Sequence, residues 1–135
     1  MTRGHQIINP DSLPKPVGFA HAVIATPGRT VYLGGQTAQD IDGVITGATM
    51  AEQFDIAAGN VVTALTGAGG APHHLVQLII YVTSVAEYKA ALSELGPLWR
   101  KHFGRHYPAV ALLGVTELFD APAKIELVGT AVIPE

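Results

Sequence analysis

The sequence predicts an α+β fold in which one β-sheet carries two helices packed on one face, in the order β-β-α-β-α-β-β. Two stretches place apolar residues at helical spacing, and each follows a hydroxyl residue with a carboxylate three positions later. The other apolar stretches are shorter and rich in β-branched residues, which is typical of strands. Because 135 residues is an ordinary size for one domain, residues 1–135 are predicted to form a single unit.

The amino-terminal part of the chain predicts an irregular arm followed by two strands. Residues 1–18 hold three prolines, which disfavour regular structure there. Phe19–Ala25 and Thr30–Gln36 are predicted strands, joined by a turn whose Pro-Gly pair supplies the backbone angles that a turn needs. Gly34 and Gly35 carry no side chains, which indicates either a β-bulge or the close approach of another group to the backbone.

Each of the two helices is predicted by its first residues as well as by its spacing. The first follows Thr49, with Glu52 three residues later, and ends at a glycine-rich stretch. The second follows Ser84, with Glu87 three residues later, and also ends at a glycine. Pro97 is expected to kink or interrupt the second helix, because proline lacks a backbone donor and crowds the preceding turn.

Three strands are predicted after the first helix. Leu75–Val82 is almost continuously apolar, as expected of a central strand covered on both faces. Tyr107–Leu118 and Lys124–Ile133 are separated by a short turn containing Asp and Pro, which predicts a hairpin. Glu126 is the exception in the last strand, since an ionised carboxylate among apolar residues must find donors, face water or shift its pKa. On the residues alone, a solvent-facing glutamate explains this position as well as a functional one.

The composition predicts that part of the surface does not face water. Only 14% of the residues are charged, whereas about 25% is typical of a soluble domain. A sheet with helices on one face alone also leaves its other face bare. Both observations favour an oligomer with apolar interfaces, such as a closed ring or a dimer. A compact monomer rich in alanine and glycine is the alternative.

Several classes of function are disfavoured by what the sequence lacks. The net charge is −3 and no basic run occurs, so a nucleic-acid partner is not expected. The chain has no cysteine, which removes thiolate catalysis and fits a cytoplasmic location. No signal peptide or membrane segment is expected, because no apolar run approaches about 18 residues. His102 and His106 have a metal-binding spacing, but Gly104 between them should break the helix, so a metal site is not expected. No cofactor is expected either.

A series of short motifs runs along the chain in this order: Asn9-Pro10, Pro16–Val23, Gly34-Gly35-Gln36, Gln53–Gly69, Tyr81-Val82-Thr83, Tyr107-Pro108-Ala109 and Ile125-Glu126. As an ordered set they resemble the RidA (YjgF/YER057c/UK114) family over nearly the full length. The resemblance implies a chorismate-mutase-like fold and a homotrimer with clefts at its subunit interfaces. It also implies hydrolysis of reactive enamines and imines, such as 2-aminoacrylate, to a keto acid and ammonia. Other members of the family look like ribonucleases.

The resemblance assigns a catalytic role to one residue. Glu126 corresponds to the glutamate that helps to place the attacking water, a role open to a carboxylate because it can accept the proton of that water. Gly35 is retained, and its backbone is expected to help hold the substrate. His21 lies in a strand near the expected cleft and is a candidate polar contact or acid–base group.

Three other positions expected to bind substrate differ from the family's deaminases. Val110 replaces an arginine that grips the substrate carboxylate, Gly34 replaces a serine, and Phe19 replaces a tyrosine. Valine offers no donor, whereas the arginine forms a bidentate fork with a carboxylate. The remaining cleft is more apolar and is expected to suit a neutral or apolar substrate.

Three functional hypotheses follow. The first is a trimeric hydrolase of the enamine or imine deaminase type, in which Glu126 orients water in a cleft between subunits. The second is a non-catalytic homotrimer that binds a small ligand, motivated by the replacements at Val110, Gly34 and Phe19. An endoribonuclease ranks last, because the chain is acidic and has no basic stripe.

Overall fold

The computed structural model describes residues 4–135. Its strands and α-helices, in chain order, are β1 (Gln6–Ile8), β2 (Ala22–Ile24), β3 (Gly28–Tyr32), α1 (Met50–Gly67), β4 (Leu75–Val82), α2 (Val85–Ala90), α3 (Leu92–Phe103), β5 (Ala109–Gly114) and β6 (Ile125–Pro134). A single 3₁₀ turn, Pro72–His74, precedes β4. The predicted α+β class is confirmed. Within the described residues, no helix is both long and apolar enough to cross a bilayer.

The main sheet has four strands in the order β3-β6-β4-β5. Strand β6 runs antiparallel to both β3 and β4, while β5 runs parallel to β4. The parallel pair follows from the helices between β4 and β5, because a parallel connection needs a crossover of a dozen or more residues. Strands β6 and β4 therefore form the centre of the sheet.

The predicted hairpin between the last two strands is wrong. Strands β5 and β6 do not pair; β4 lies between them. Residues 115–124 carry the chain past β4, where Val115 donates to the Val82 carbonyl (2.8 Å) and Thr83 donates to the Lys124 carbonyl (3.0 Å). This connection is longer than the two to five residues of an ordinary hairpin loop. The Asp and Pro in it mark turns inside a crossing segment.

The first two predicted strands do not pair with each other either. Strand β2 pairs with β1, which lies inside the arm predicted to be irregular, and the two form a separate two-stranded sheet. Strand β3 already begins at Gly28 and pairs with β6. A side chain at Gly28 would meet the Ile133 carbonyl, so this glycine serves strand pairing where a turn was predicted.

Both predicted helix starts are present, with one difference. The Thr49 hydroxyl accepts from the Glu52 N–H (3.1 Å) and the Glu52 carboxylate accepts from the Thr49 N–H (3.2 Å), which is a complete capping box. Ser84 caps the second helix in the same way, but the Glu87 carboxylate pairs with Lys124 at 2.8 Å. The second predicted helix is split into α2 and α3 at Ala91, and α3 continues through Pro97.

The helices cover one face of the main sheet, as predicted. Leu78, Ile80 and Val82 of β4 and the alternate residues of β6 from Ile125 are buried beneath α1 and α3. Phe54 and Trp99 stack between the helices, with ring centroids 6.4 Å apart. Truncating aromatic core residues of this kind to alanine costs about 3–5 kcal/mol. This layer fixes which residues of each strand point away from the helices.

The opposite side of the sheet, here called the open face, carries the intervening residues of each strand. By register and alternation they are Tyr32, Gln77, Ile79, Tyr81, Ala111, Leu113, Glu126, Val128 and Thr130. They are half-buried or exposed. None of them is basic, and Glu126 is the one acidic residue among them.

Candidate active site on the open face

Glu126 points away from the helical layer. Its neighbours Ile125 and Leu127 are fully buried, and Glu126 itself is half-buried on the open face. No buried side-chain nitrogen or oxygen of residues 4–135 lacks a hydrogen-bond partner. The Glu126 carboxylate makes neither a hydrogen bond nor an ion pair with that part of the chain. Its oxygens are therefore accessible to water or to a ligand.

Gly34 and Gly35 form a β-bulge beside this carboxylate. The Leu33 N–H donates to the Gly129 carbonyl (3.0 Å), and the Gln36 N–H donates to the Leu127 carbonyl (2.8 Å). Two glycines thus stand opposite one residue of β6, which is the definition of a bulge. A side chain at Gly35 would collide with the Glu126 carboxylate, whereas one at Gly34 would meet nothing within 4 Å. The glycine pair thus forms a β-bulge, and at Gly35 alone another group, the Glu126 carboxylate, also comes close to the backbone.

Val110 does not share a face with Glu126. It pairs with the fully buried Leu78 and packs against the core beneath the helices. Because side chains alternate along a strand, the register of β5 decides this orientation. The expectation that Val110 lines the same cleft as Glu126 is not met within one chain: β4 lies between their strands, and the two side chains point to opposite sides of the sheet.

Phe19 and His21 lie beyond the other edge of the sheet. Ala20 between them forms a bridge to Ala109, with its N–H donating to the Pro108 carbonyl at 2.9 Å. The Phe19 and His21 rings meet edge to face with centroids 5.2 Å apart. The His21 ring also bonds the Pro14 carbonyl through Nε2 (2.7 Å). The bond from His21 to Pro14 holds the amino-terminal arm. Within one chain, neither the Phe19 ring nor the His21 ring is brought to Glu126.

Tyr81 is the neighbour of Glu126 that sequence reasoning missed. It stands directly opposite Glu126 across β4 and β6, and Leu113 stands opposite Tyr81 on β5. Tyr81 belongs to an almost continuously apolar stretch, and no pattern in that stretch marks its hydroxyl as a site group. The alternation of β4 would have placed it on the open face only if the burial of Leu78 and Ile80 had been known.

The other polar clusters are engaged elsewhere. His102 bonds Asp55 through Nε2 (2.6 Å), and His106 bonds the Leu75 carbonyl through Nε2 (2.7 Å), so this pair is separated. Lys101 and His102 hold the pKa of Asp55 below its usual value, with the Lys101 hydrogen bond as the main cause. Residues 4–135 contain no cluster of three histidine, aspartate or glutamate side chains suited to a metal ion.

Two shallow hollows lie away from Glu126. One, of about 480 Å³, is lined by residues of the 115–124 connection, including Glu117 and Phe119. The other, of about 400 Å³, lies between α1 and the loop after the bulge, and Asn60 and Gln36 line it. The Glu126 site within one chain is an open surface, so a second surface is needed to enclose a ligand there.

Comparison with known proteins agrees with this architecture. The family model described as endoribonuclease L-PSP matches residues 11–133. A Rid-family protein of unknown function, YyfB from Yersinia pestis, is 28% identical, with a TM-score of 0.87 over 97% of this chain and 100% of that one. Rv2704 from Mycobacterium tuberculosis, a member of the YjgF/YER057c/UK114 family, is 26% identical with a TM-score of 0.64, over 87% and 88% of the two chains.

A likeness of fold alone extends to RidA from an Antarctic Psychrobacter, at 23% identity and a TM-score of 0.67 over 95% of this chain and 99% of that one. A search of curated proteins gave no significant match. The chorismate-mutase-like architecture expected from the sequence is thus confirmed by solved relatives.

Proposed function

Because this chain belongs to the Rid (YjgF/YER057c/UK114) family, whose model is described as endoribonuclease L-PSP, we propose that it hydrolyses a small imine or enamine. Glu126 is proposed to orient the attacking water, with the substrate held in a cleft between the chains of a homotrimer. The observation that carries the proposal is the accessible Glu126 carboxylate, set against the bare backbone of Gly35 on a face with no basic residue.

The chemistry requires a group that accepts a proton while water attacks carbon. An ionised carboxylate has acceptor oxygens and no proton of its own, so it can take that proton if the water lies within hydrogen-bond reach. The absence of a side chain at Gly35 leaves room for the Glu126 carboxylate, because any side chain there would occupy the same space. The neighbouring apolar residues Ile79, Val128 and Leu113 would surround a small substrate on this face.

The expected substrate is neutral. Val110, Gly34 and Phe19 replace the arginine, serine and tyrosine of the family's deaminases in the proposed correspondence, and Val110 faces the core. Hydrogen bonds to charged groups are worth about 1.5–3 kcal/mol each, so a carboxylate substrate would lose more than one such contact. 2-Aminoacrylate should therefore react more slowly than an uncharged imine.

The central experiment compares the parent protein with Glu126→Gln, which keeps the shape and removes the base. The parent is expected to hydrolyse the neutral aldimine N-benzylidenemethylamine, releasing benzaldehyde, and Glu126→Gln should lower kcat by about a hundredfold or more. Glu117→Gln is the matched control, because Glu117 is exposed and lies in the 115–124 connection. Equal rates for the parent and Glu126→Gln would remove the proposal.

A non-catalytic ligand-binding homotrimer remains the second candidate, favoured by the replacements at the positions of the family's substrate-binding groups. Under it, the neutral imine analogue acetone oxime should raise the melting temperature in proportion to ln(1+[L]/Kd) while no substrate is turned over. Endoribonuclease activity is suggested by the description of the family model. The net charge of −3 and the absence of basic residues from the open face argue against it. A cytoplasmic location fits the lack of cysteine.

A further inference from the structure

We infer that the Tyr81 hydroxyl is the second polar group of the site and donates its proton to the nitrogen of the substrate. This inference rests on the proposed function and adds a residue to it. Tyr81 and Glu126 are directly opposed on antiparallel strands, which places their Cβ atoms about 4.5–5.5 Å apart on the same face. One small molecule lying on the open face can therefore contact both side chains.

Glu126 has different neighbours on its two sides in the sheet. Glu126 is bounded on the β3 side by the backbone of Gly35, which leaves no room for a side chain. On the β4 side it is bounded by Tyr81, and Leu113 closes the row on β5. A substrate placed over Glu126 thus has a phenol on one side and bare backbone on the other. Tyr81 is the residue of this row that carries a hydroxyl, and that hydroxyl would contact the substrate.

The Tyr81 hydroxyl is free to act on a ligand. Tyr81 is half-buried, and its hydroxyl forms no hydrogen bond with residues 4–135, while the buried polar side chains of those residues all have partners. Trp99, by contrast, donates its indole N–H to the His106 carbonyl at 3.1 Å. The Tyr81 phenol is therefore an available donor beside an available acceptor.

Hydrolysis of an imine uses such a pair in two balanced steps. In the first, water forms a C–O bond and gives a proton to the Glu126 carboxylate, while the C=N π electrons move to nitrogen, which takes the Tyr81 proton. In the second, the hydroxyl of the carbinolamine returns a proton to the Tyr81 phenolate, and nitrogen takes the proton from Glu126. The C–N bond then breaks as C=O forms, and both side chains regain their starting state.

The pair also accounts for a site without an arginine. A phenol is neutral at neutral pH and can donate a hydrogen bond to an uncharged C=N nitrogen. A carboxylate substrate, in contrast, would meet the Glu126 charge with no cation among the strand residues that the structure describes on the open face. The geometry thus points to a neutral imine whose nitrogen lies toward β4 and whose carbon lies over Glu126.

The kinetic test uses Tyr81→Phe, which keeps the ring and removes the hydroxyl. With N-benzylidenemethylamine, kcat is expected to fall at least tenfold while KM changes by less than threefold. The double variant with Glu126→Gln should be no slower than the slower single variant by more than a few-fold, because both groups act in one step. Tyr32→Phe is the control, since Tyr32 is 81% exposed on the same face and lies opposite Thr130.

If Tyr81→Phe keeps the parent kcat while Glu126→Gln loses activity, the role of Tyr81 is overturned and the proposed hydrolase stands. If the parent itself is inactive, the hydrolase fails and a binding measurement decides the remaining question. Protein labelled with ¹³C at the tyrosine Cζ is titrated with cyclopentanone oxime, and Tyr81→Phe identifies the resonance. Movement of the Tyr81 signal supports contact with a C=N group; an unmoved signal overturns the inference.

Discussion

At the scale of single residues, the adjacent glycines Gly34 and Gly35 have different roles. Gly34 and Gly35 form one bulge, but a side chain at Gly34 would point into open space while one at Gly35 would strike the Glu126 carboxylate. Neither glycine has a positive φ angle, so alanine is compatible with the backbone at both positions. The two substitutions therefore separate the space needed by Glu126 from the conformation of the bulge.

Gly35→Ala is expected to lower the proposed activity at least tenfold and to leave stability nearly unchanged. The new methyl group forces the flexible end of Glu126 to move, which costs less than about 1 kcal/mol when a rotamer is free to change. Gly34→Ala should match the parent in rate and in melting temperature. A Gly35→Ala protein that retains full activity would show that the position of the carboxylate does not matter.

How much of the site was predictable depends on whether a residue's neighbours in sequence are also its neighbours in space. Glu126 stood out because it is a carboxylate inside an apolar strand, and Gly35 because a pair of glycines leaves the backbone without side chains. The direction of Val110 relative to Glu126 could not be predicted, because only the register with Leu78 fixes it. Tyr81 was missed for the same reason.

At the scale of elements, helices were predicted better than strand pairing. The starts of α1 and α2 are local signals, carried by Thr49 and Ser84 within a single turn. Strand partners are determined by contacts between segments that are distant in sequence. The residues of β5 and β6 and of the turn between them do not indicate that β4 lies between the two strands. The short turn between them therefore suggested a hairpin that the fold does not make.

A group of histidines joins several elements at the start of β4. His106 bonds the Leu75 carbonyl (2.7 Å), and His74 accepts from the Ala71 N–H through Nδ1 (3.0 Å). His5 bonds the His74 and Val132 carbonyls through Nε2, at 3.1 and 3.0 Å. Burial lowers the pKa of both His74 and His106, and the neighbouring histidines, including His73, add to the effect.

These lowered pKa values predict a loss of stability in mild acid. The folded chain binds fewer protons than the unfolded chain, so stability is complete above the ordinary histidine pKa of about 6.5 and declines as pH falls through it. Urea unfolding from pH 7.5 to about pH 5 measures this decline. The variant His74→Asn with His106→Gln keeps an acceptor and a donor that do not titrate, and should show a shallower decline. His21→Gln, in the amino-terminal arm, serves as the control; an unchanged slope in the double variant would contradict the assignment.

At the scale of the whole molecule, the open face is the feature that a single chain leaves unexplained. It carries Ile79, Val128 and Leu113 without a covering helix among residues 4–135. Leu113 is 45% exposed there. Together with the low charge content, this favours the proposed homotrimer, in which copies cover one another's sheets and enclose the Glu126 site.

Ile79→Lys is expected to break the proposed assembly, because it would bury a charge between chains. The parent should elute at about three times the 14.1 kDa of one chain, and Ile79→Lys should elute near the mass of one chain. Ile41→Lys is the matched control, since Ile41 is 98% exposed in a loop off the sheet. Light scattering that gives the mass of one chain for the parent would contradict the homotrimer.

The position of β6 between β3 and β4 sets an order for folding during synthesis. When the ribosome has made residues up to 124, β3 has no partner in the main sheet, and one edge of β4 exposes its unpaired backbone groups. The exposed edge of β4 is at that stage open to pairing with other chains, which leads to aggregation, or to binding by a chaperone. Once β6 has emerged, it pairs with β3 along one edge and with β4 along the other and completes the four-stranded sheet.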